Sequence, residues 1–188
     1  SYGFGKIQLV LSETVNGQRQ GGVIDIPGVK FLTGIMRGRF NPEDGHLYAL
    51  GMSAWGTTQM QQGGGLYRVR YTGKPITMPI GLNAMNSGIK LSFASILDPS
   101  KAADISNYEV KTWDIVRSSA YGSGRFDKKT LAISKAVLQA DGKSVILYLK
   151  DIEKVDVMTI SYEIDDTEGN ELKGIVQNTV NELAASVN

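Results

Sequence analysis

Short stretches in which apolar and polar residues alternate with a period of two, each closed by Gly, Pro, Asn or Asp, recur along almost the whole 188-residue chain. Successive side chains of a strand point to opposite faces, so this period belongs to β-strands and not to amphipathic helices. Strands are expected near Ile7–Val10, Val23–Ile26, Ile35–Phe40, Leu47–Met52 and Leu66–Tyr71. A second series is expected near Ile89–Phe93, Tyr108–Val116, Thr130–Leu138, Ser144–Leu149 and Asp156–Ile164. The tail Gly174–Leu183 fits a last strand or a short amphipathic helix, and the β-branched residues Ile175, Thr179 and Val180 favour the strand. The runs IMRGRF and HLYALG are joined by NPEDG, a Pro and Gly turn that predicts a hairpin. In LYRVRY, Leu66, Arg68 and Arg70 fall on one face and Tyr67, Val69 and Tyr71 on the other.

The alternation stops at TGKPITMP, Thr72–Pro79, where two prolines and a glycine give the composition of a linker. A division into residues 1–75 and 76–188 is therefore expected. Beyond it, turns at LDPSKAADISN, SSAYGSGRFDKK, ADGK and DDTEGN separate short strands at a spacing that suits a β-sandwich.

Composition removes several function classes. Twenty Lys and Arg against nineteen Asp and Glu leave a net charge of +1, so no long-range field draws the chain to nucleic acid or an acidic membrane. There is no cysteine, hence no disulfide, thiolate nucleophile or Cys-containing zinc site. No apolar run approaches the ~20 residues of a membrane-spanning helix. The first residues lack the basic, apolar and small-residue order of a signal peptide.

The run GVIDIPGVKFLTGIMRGRFNPEDGHLYALGM, continued by GGGLYRVRYTGKP, resembles the last part of bacterial extracytoplasmic propeller proteins related to glucose and sorbosone dehydrogenases. In many members of that group a β-sandwich module follows the propeller, and haem c domains are common. NPEDGHLYALG looks like the hairpin of a propeller blade, and GLYRVRYTGK like the strand that leaves the propeller. The later segments LSFASILDPSKAADISNYEV, LQADGKSVILYLKDI and DDTEGNEL are similar to bacterial immunoglobulin-like modules. The resemblance covers about Gly22 to Leu183. It implies an all-β fold, with a propeller-blade-like antiparallel sheet in residues 1–75 and an immunoglobulin-like β-sandwich in 76–188. It also implies an extracytoplasmic location and, for a parent protein, sugar dehydrogenase-like chemistry. Six blades of ~40 residues need roughly 240 residues, and about 75 stand before the linker, so a fragment or truncated relative is expected. The catalytic motifs of the dehydrogenases are not among the matching residues, and no catalytic residue, metal ligand or cofactor is assigned.

The polar clusters mostly read as turns. His46, the only histidine, adjoins Glu43 and Asp44 in the predicted hairpin, where a general base would need a positioned partner. Gly63–Gly65 resembles a phosphate loop only until LYRVRY follows it, because that loop needs a helix next. Asp165–Glu171, DDTEGNE, offers hard oxygen ligands for calcium but lacks the EF-hand spacing and reads as a β-turn. Aromatic residues in Gly-rich loops give the better binding candidates: Trp55, Tyr121 and Phe126, with Arg125, suit stacking on a sugar. Trp55 and Tyr67 have a competing role in packing between domains, and Trp113 is expected in the core. The expected function is thus a non-catalytic module that docks onto the rest of a larger chain or another protein, with carbohydrate binding as the alternative. Unpaired sheet edges also offer a route to a homodimer.

Overall fold

The computed structural model describes residues 2–53 and 62–186. Their strands are β1 (Lys6–Val15), β2 (Gln18–Lys30), β3 (Gly34–Phe40), β4 (Leu47–Met52), β5 (Gly64–Val69), β6 (Pro79–Met85) and β7 (Gly88–Phe93). After a short helix, α1 (Pro99–Ala103), follow β8 (Tyr108–Ile115), β9 (Arg125–Leu131), β10 (Ile133–Leu138), β11 (Ser144–Leu149), β12 (Val155–Asp165) and β13 (Glu171–Val180). The fold is all-β. The strands form a six-stranded sheet, β1-β2-β13-β12-β8-β9, a four-stranded sheet, β10-β11-β7-β6, and a three-stranded sheet, β3-β4-β5.

The chain divides into two compact units, Ser1–Leu9 with Asp25–Pro75, and Val10–Ile24 with Ile76–Asn188. The stretch Val10–Ile24, the far part of the β1–β2 hairpin, belongs to the second unit, so residues 1–75 contribute to both.

In the first unit, β3 and β4 pair from Phe40↔Leu47 to Gly34↔Met52, with a register shift between Ile35 and Arg37. The Asn41–His46 turn closes this hairpin, with the His46 carbonyl accepting from the Asn41 N–H at 2.9 Å. One face of the sheet is covered: Ala49 is buried, and the Tyr67 ring meets buried Phe31 at 4.8 Å between centroids. A glycine within β5, Gly65, serves this contact. A Cβ on Gly65 would run into the Tyr67 ring, whose hydroxyl accepts from Gln62 at 2.8 Å. Gly64 and Gly65 pair with Met52 and Gly51 as sheet residues, and a strand follows them where a phosphate loop requires a helix.

In the second unit the two sheets meet through Phe93 of β7 and Tyr162 of β12, whose rings are edge-on at 5.6 Å. Around them Leu91, Leu147, Met158, Ile160 and Leu172 are fully buried, each on the inward parity of its strand. Trp113 is also buried, at 9% exposure. Gln20 ties the hairpin to the chain after β13: its amide donates to Glu13 and to the Glu182 carbonyl, and its oxygen accepts from Asn181 and Glu182.

Three elements differ from the expected strands. The linker ends earlier than TGKPITMP suggests, because Pro79 opens β6, a first-residue position at which a missing N–H is tolerated. The single strand expected over Thr130–Leu138 is two strands in different sheets, broken at Ala132. The turn expected through SSAYGSGRFDKK is shorter, because β9 begins at Arg125.

Candidate functional site

Three places hold the residues singled out by the sequence, and two more come from the fold. The first is the connection between β8 and β9. Val116, Tyr121, Ser123 and Phe126 line a hollow of about 330 Å³ there, with the Tyr121 side chain fully exposed and Phe126 half-exposed. Ser123 shapes the loop, because its hydroxyl accepts from the Val116 N–H at 3.0 Å and donates to the Gly124 carbonyl at 2.8 Å. Arg125 lies on β9, with its guanidinium 4.4 Å from the centre of the Trp113 ring. That stacking is a cation–π contact, and it turns Arg125 toward packing. Tyr121 and Phe126 are therefore brought together, and Arg125 adjoins them through the strand. Trp55 lies outside the described residues. Two aromatic faces at an open hollow can stack on a flat apolar ligand face, such as that of a sugar ring.

The second place is the β3–β4 turn. Asp44 accepts from the His46 N–H at 2.9 Å and from the Tyr48 hydroxyl at 2.8 Å, and it stands 3.4 Å from His46 Nδ1. The His46 backbone bond is foremost in holding the Asp44 carboxyl below its ordinary range; desolvation opposes it, and the Tyr48 bond adds to it. Glu43 points its N–H back to Asn41 Oδ1 at 3.1 Å. The three residues weighed as an acid–base group thus form a hydrogen-bonded turn. Asp44 spends its acceptors on the loop itself.

The third is the DDTEGNE turn. Asp166 is buried and accepts from the Glu168 N–H at 3.0 Å, the Asn170 N–H at 2.8 Å and the Asn170 side-chain amide at 2.9 Å. Asp165 stands 4.0 Å from Lys101. Among the described residues no group of three or more His, Asp or Glu is arranged to hold a metal ion. Burial works to raise the Asp166 pKa from its ordinary 3.8, and the bonds from Asn170 and Glu168 outweigh it, so the folded value is lowered. A lowered folded value means that the carboxylate stabilises the fold fully above the unfolded pKa and loses that contribution as pH falls through the folded one. Asp166→Ala is expected to cost about 2 kcal/mol near neutral pH, the scale for leaving donors to a buried charged acceptor unmatched. Thermal melts of both proteins from about pH 7 down to about pH 2.5 check this, since the gap between them should close below about pH 4. A gap that stays constant would show that the carboxylate charge is not the cause.

A fourth feature, an open groove of about 620 Å³, crosses β8, β12 and β13 beside Tyr108, Ser161, Glu163 and Lys173. Most of its charges are paired, Glu109 with neighbouring Lys111 at 2.7 Å, Glu163 with Lys173 at 2.6 Å and Asp165 with Lys101 at 4.0 Å. Ion pairs of this kind on an exposed sheet contribute little to stability.

The fifth place escaped the sequence reading. The uncovered face of the β3-β4-β5 sheet carries Tyr48 and Leu50 on β4, flanked by Arg39 and Arg37 on β3 and by Arg68 and Leu66 on β5. The alternation in LYRVRY puts Leu66 and Arg68 on one face, but the alignment of three strands is what gathers the arginines.

No family model matches the sequence, and no curated protein and no solved structure matches the chain.

Proposed function

We propose that this chain is a non-catalytic β module of a bacterial, extracytoplasmic, dehydrogenase-like propeller protein, in which it docks onto the rest of the parent chain or onto another protein. The first unit is the blade-like part and the second the immunoglobulin-like part. Strand order supports the second assignment: β6-β7-β11-β10 and β9-β8-β12-β13 follow the A-B-E-D and C′-C-F-G orders of immunoglobulin-type sheets. The observation that carries the docking reading is the apolar surface of the three-stranded sheet. Leu50 and Leu66, cross-strand partners, are each more than half exposed there, and large apolar groups gathered on one face mark contact surfaces. The parent family and the location rest on the sequence resemblance alone.

A second reading, a carbohydrate-binding module, is favoured by one specific feature, the paired exposure of Tyr121 and Phe126 at their hollow. One set of measurements separates the two. The purified chain is expected to show no redox-cofactor absorption, no sugar oxidation when a quinone cofactor is added, and no fluorescence change on titration with a glycan panel. Trp113, one of the two tryptophans, lies beneath Arg125 on the strand paired with that of Phe126. Turnover would overturn the non-catalytic reading. Glycan binding that disappears in Tyr121→Ala would replace docking with carbohydrate recognition.

A further inference from the structure

Three observations about the first unit bear on the chemistry of what it meets. Register places Arg39, Tyr48 and Arg68 in one row across β3, β4 and β5, and Arg37, Leu50 and Leu66 in the next. With strands about 4.8 Å apart and alternate residues about 7 Å apart along a strand, three guanidinium-bearing positions lie beside Tyr48, Leu50 and Leu66 within one small patch. All three arginines are exposed, as are Leu50 at 55% and Leu66 at 68%.

Next, these arginines are not in ion pairs among the described residues: the pairs there involve lysines and His46. Arg39 has a bond to the Gly38 carbonyl at 3.2 Å, and nearby Asp44 is engaged by Tyr48 and His46. Finally, charge is divided unevenly. The first unit has seven Lys and Arg against three Asp and Glu, a net +4, while the second has thirteen against sixteen, a net −3. The near-zero total conceals a basic unit.

We infer that the Arg37, Arg39, Arg68, Leu50 and Leu66 face is a docking surface for an acidic segment of another protein that also carries apolar side chains. The inference rests on the docking-module reading and names the face and the partner chemistry. Planar guanidinium groups pair with carboxylates through forked hydrogen bonds, and Leu50 with Leu66 supplies apolar area that excludes water from those pairs. Nucleic acid fits less well. Tyr48, the one aromatic in the row of Arg39 and Arg68, has its hydroxyl tied to Asp44, and Leu50 and Leu66 fill the next row beside Arg37, where a phosphate-tracking groove would continue cations and stacking faces.

The test uses the whole chain and three fluorescent 12-residue peptides: one of Glu and Leu, one of Glu and Ser, and one of Lys and Leu. The Glu–Leu peptide should bind tightest, and its affinity should fall between about 50 and 300 mM salt as the charges are screened. Arg39→Glu with Arg68→Glu should weaken it at least about tenfold, and Leu50→Ser with Leu66→Ser several-fold, with unchanged far-UV circular dichroism and melting. Arg39→Lys with Arg68→Lys should keep part of the affinity, because charge remains and the fork is lost. Equal binding by the charge-reversed variant overturns the proposal. So does tighter binding of the wild type to a single-stranded DNA 20-mer or to phosphatidylserine vesicles, or self-association through this face that excludes the peptide. These failures leave docking through another surface standing, whereas sugar oxidation or Tyr121-dependent glycan binding would remove the broader reading itself.

Discussion

Phe93→Ala is expected to destabilise the second unit by about 3–5 kcal/mol, the range for removing a large buried aromatic side chain. Phe93 is 2% exposed and sits at the meeting of two sheets, with its ring edge-on to Tyr162 of the opposite sheet. Truncation removes transfer free energy and leaves a cavity between strands whose backbones are held by ladders on both sides. Little collapse is available to refill it. Urea unfolding at constant m-value measures the loss. A double-mutant cycle with Tyr162→Ala should show a coupling of about 1 kcal/mol from the ring pair, beyond the area each ring buries. A loss below about 1 kcal/mol for Phe93→Ala would mean that the two sheets do not share this contact.

Gly88→Ala is expected to cost about 3 kcal/mol and to loosen the pairing of β7 with β11. Gly88 has φ +148, and a Cβ there would run into the Leu147 carbonyl and lie 3.0 Å from the Tyr148 Cα. Both obstacles are backbone atoms of the paired strand, in which Tyr148 is the register partner of Gly88. The sheet must move apart or slip, and a slip would exchange the two faces of β7. Gly17→Ala is the control for conformation alone, because Gly17 has φ +79 with nothing within 4 Å of its Cβ position. It should cost about 1 kcal/mol, the lower part of the range for a strained backbone residue. Parallel thermal melts test the pair. If Gly88→Ala melts no lower than Gly17→Ala, the close approach of the backbones is not what demands glycine.

The strands that sequence shows best are those with one covered face. VILYL of β11 is an unbroken apolar run that is buried at all but one position, whereas LYRVRY and the runs that become β7, β8 and β12 carry their alternation openly. β9 does not, because RFDKKTL is exposed at every position except Leu131 and therefore has no inner face to encode. Such polar, lysine-bearing strands are usual at a sheet edge, where charge discourages pairing with another chain. β6 was hidden by its proline and glycine. The change of sheet at Ala132 leaves the local pattern unbroken, since both halves of the segment are extended.

The candidate sites divide in the same way. That Asp44 and Asp166 belong to turns was legible from the Asn, Gly and Asp around them, because those side chains bond to backbone groups two to four residues away. The exposure of Tyr121 and the stacking of Arg125 on Trp113 were not, as they depend on where β9 pairs with β8. Alternation is a local property, and it alone determined that this chain is a succession of strands and which residues of each strand share a face. Register across strands, and the choice of which face is covered, are set by contacts between residues far apart in sequence. Only the tertiary structure could therefore pack Tyr67 on Phe31 while leaving Arg37, Arg39 and Arg68 exposed beside Leu50 and Leu66.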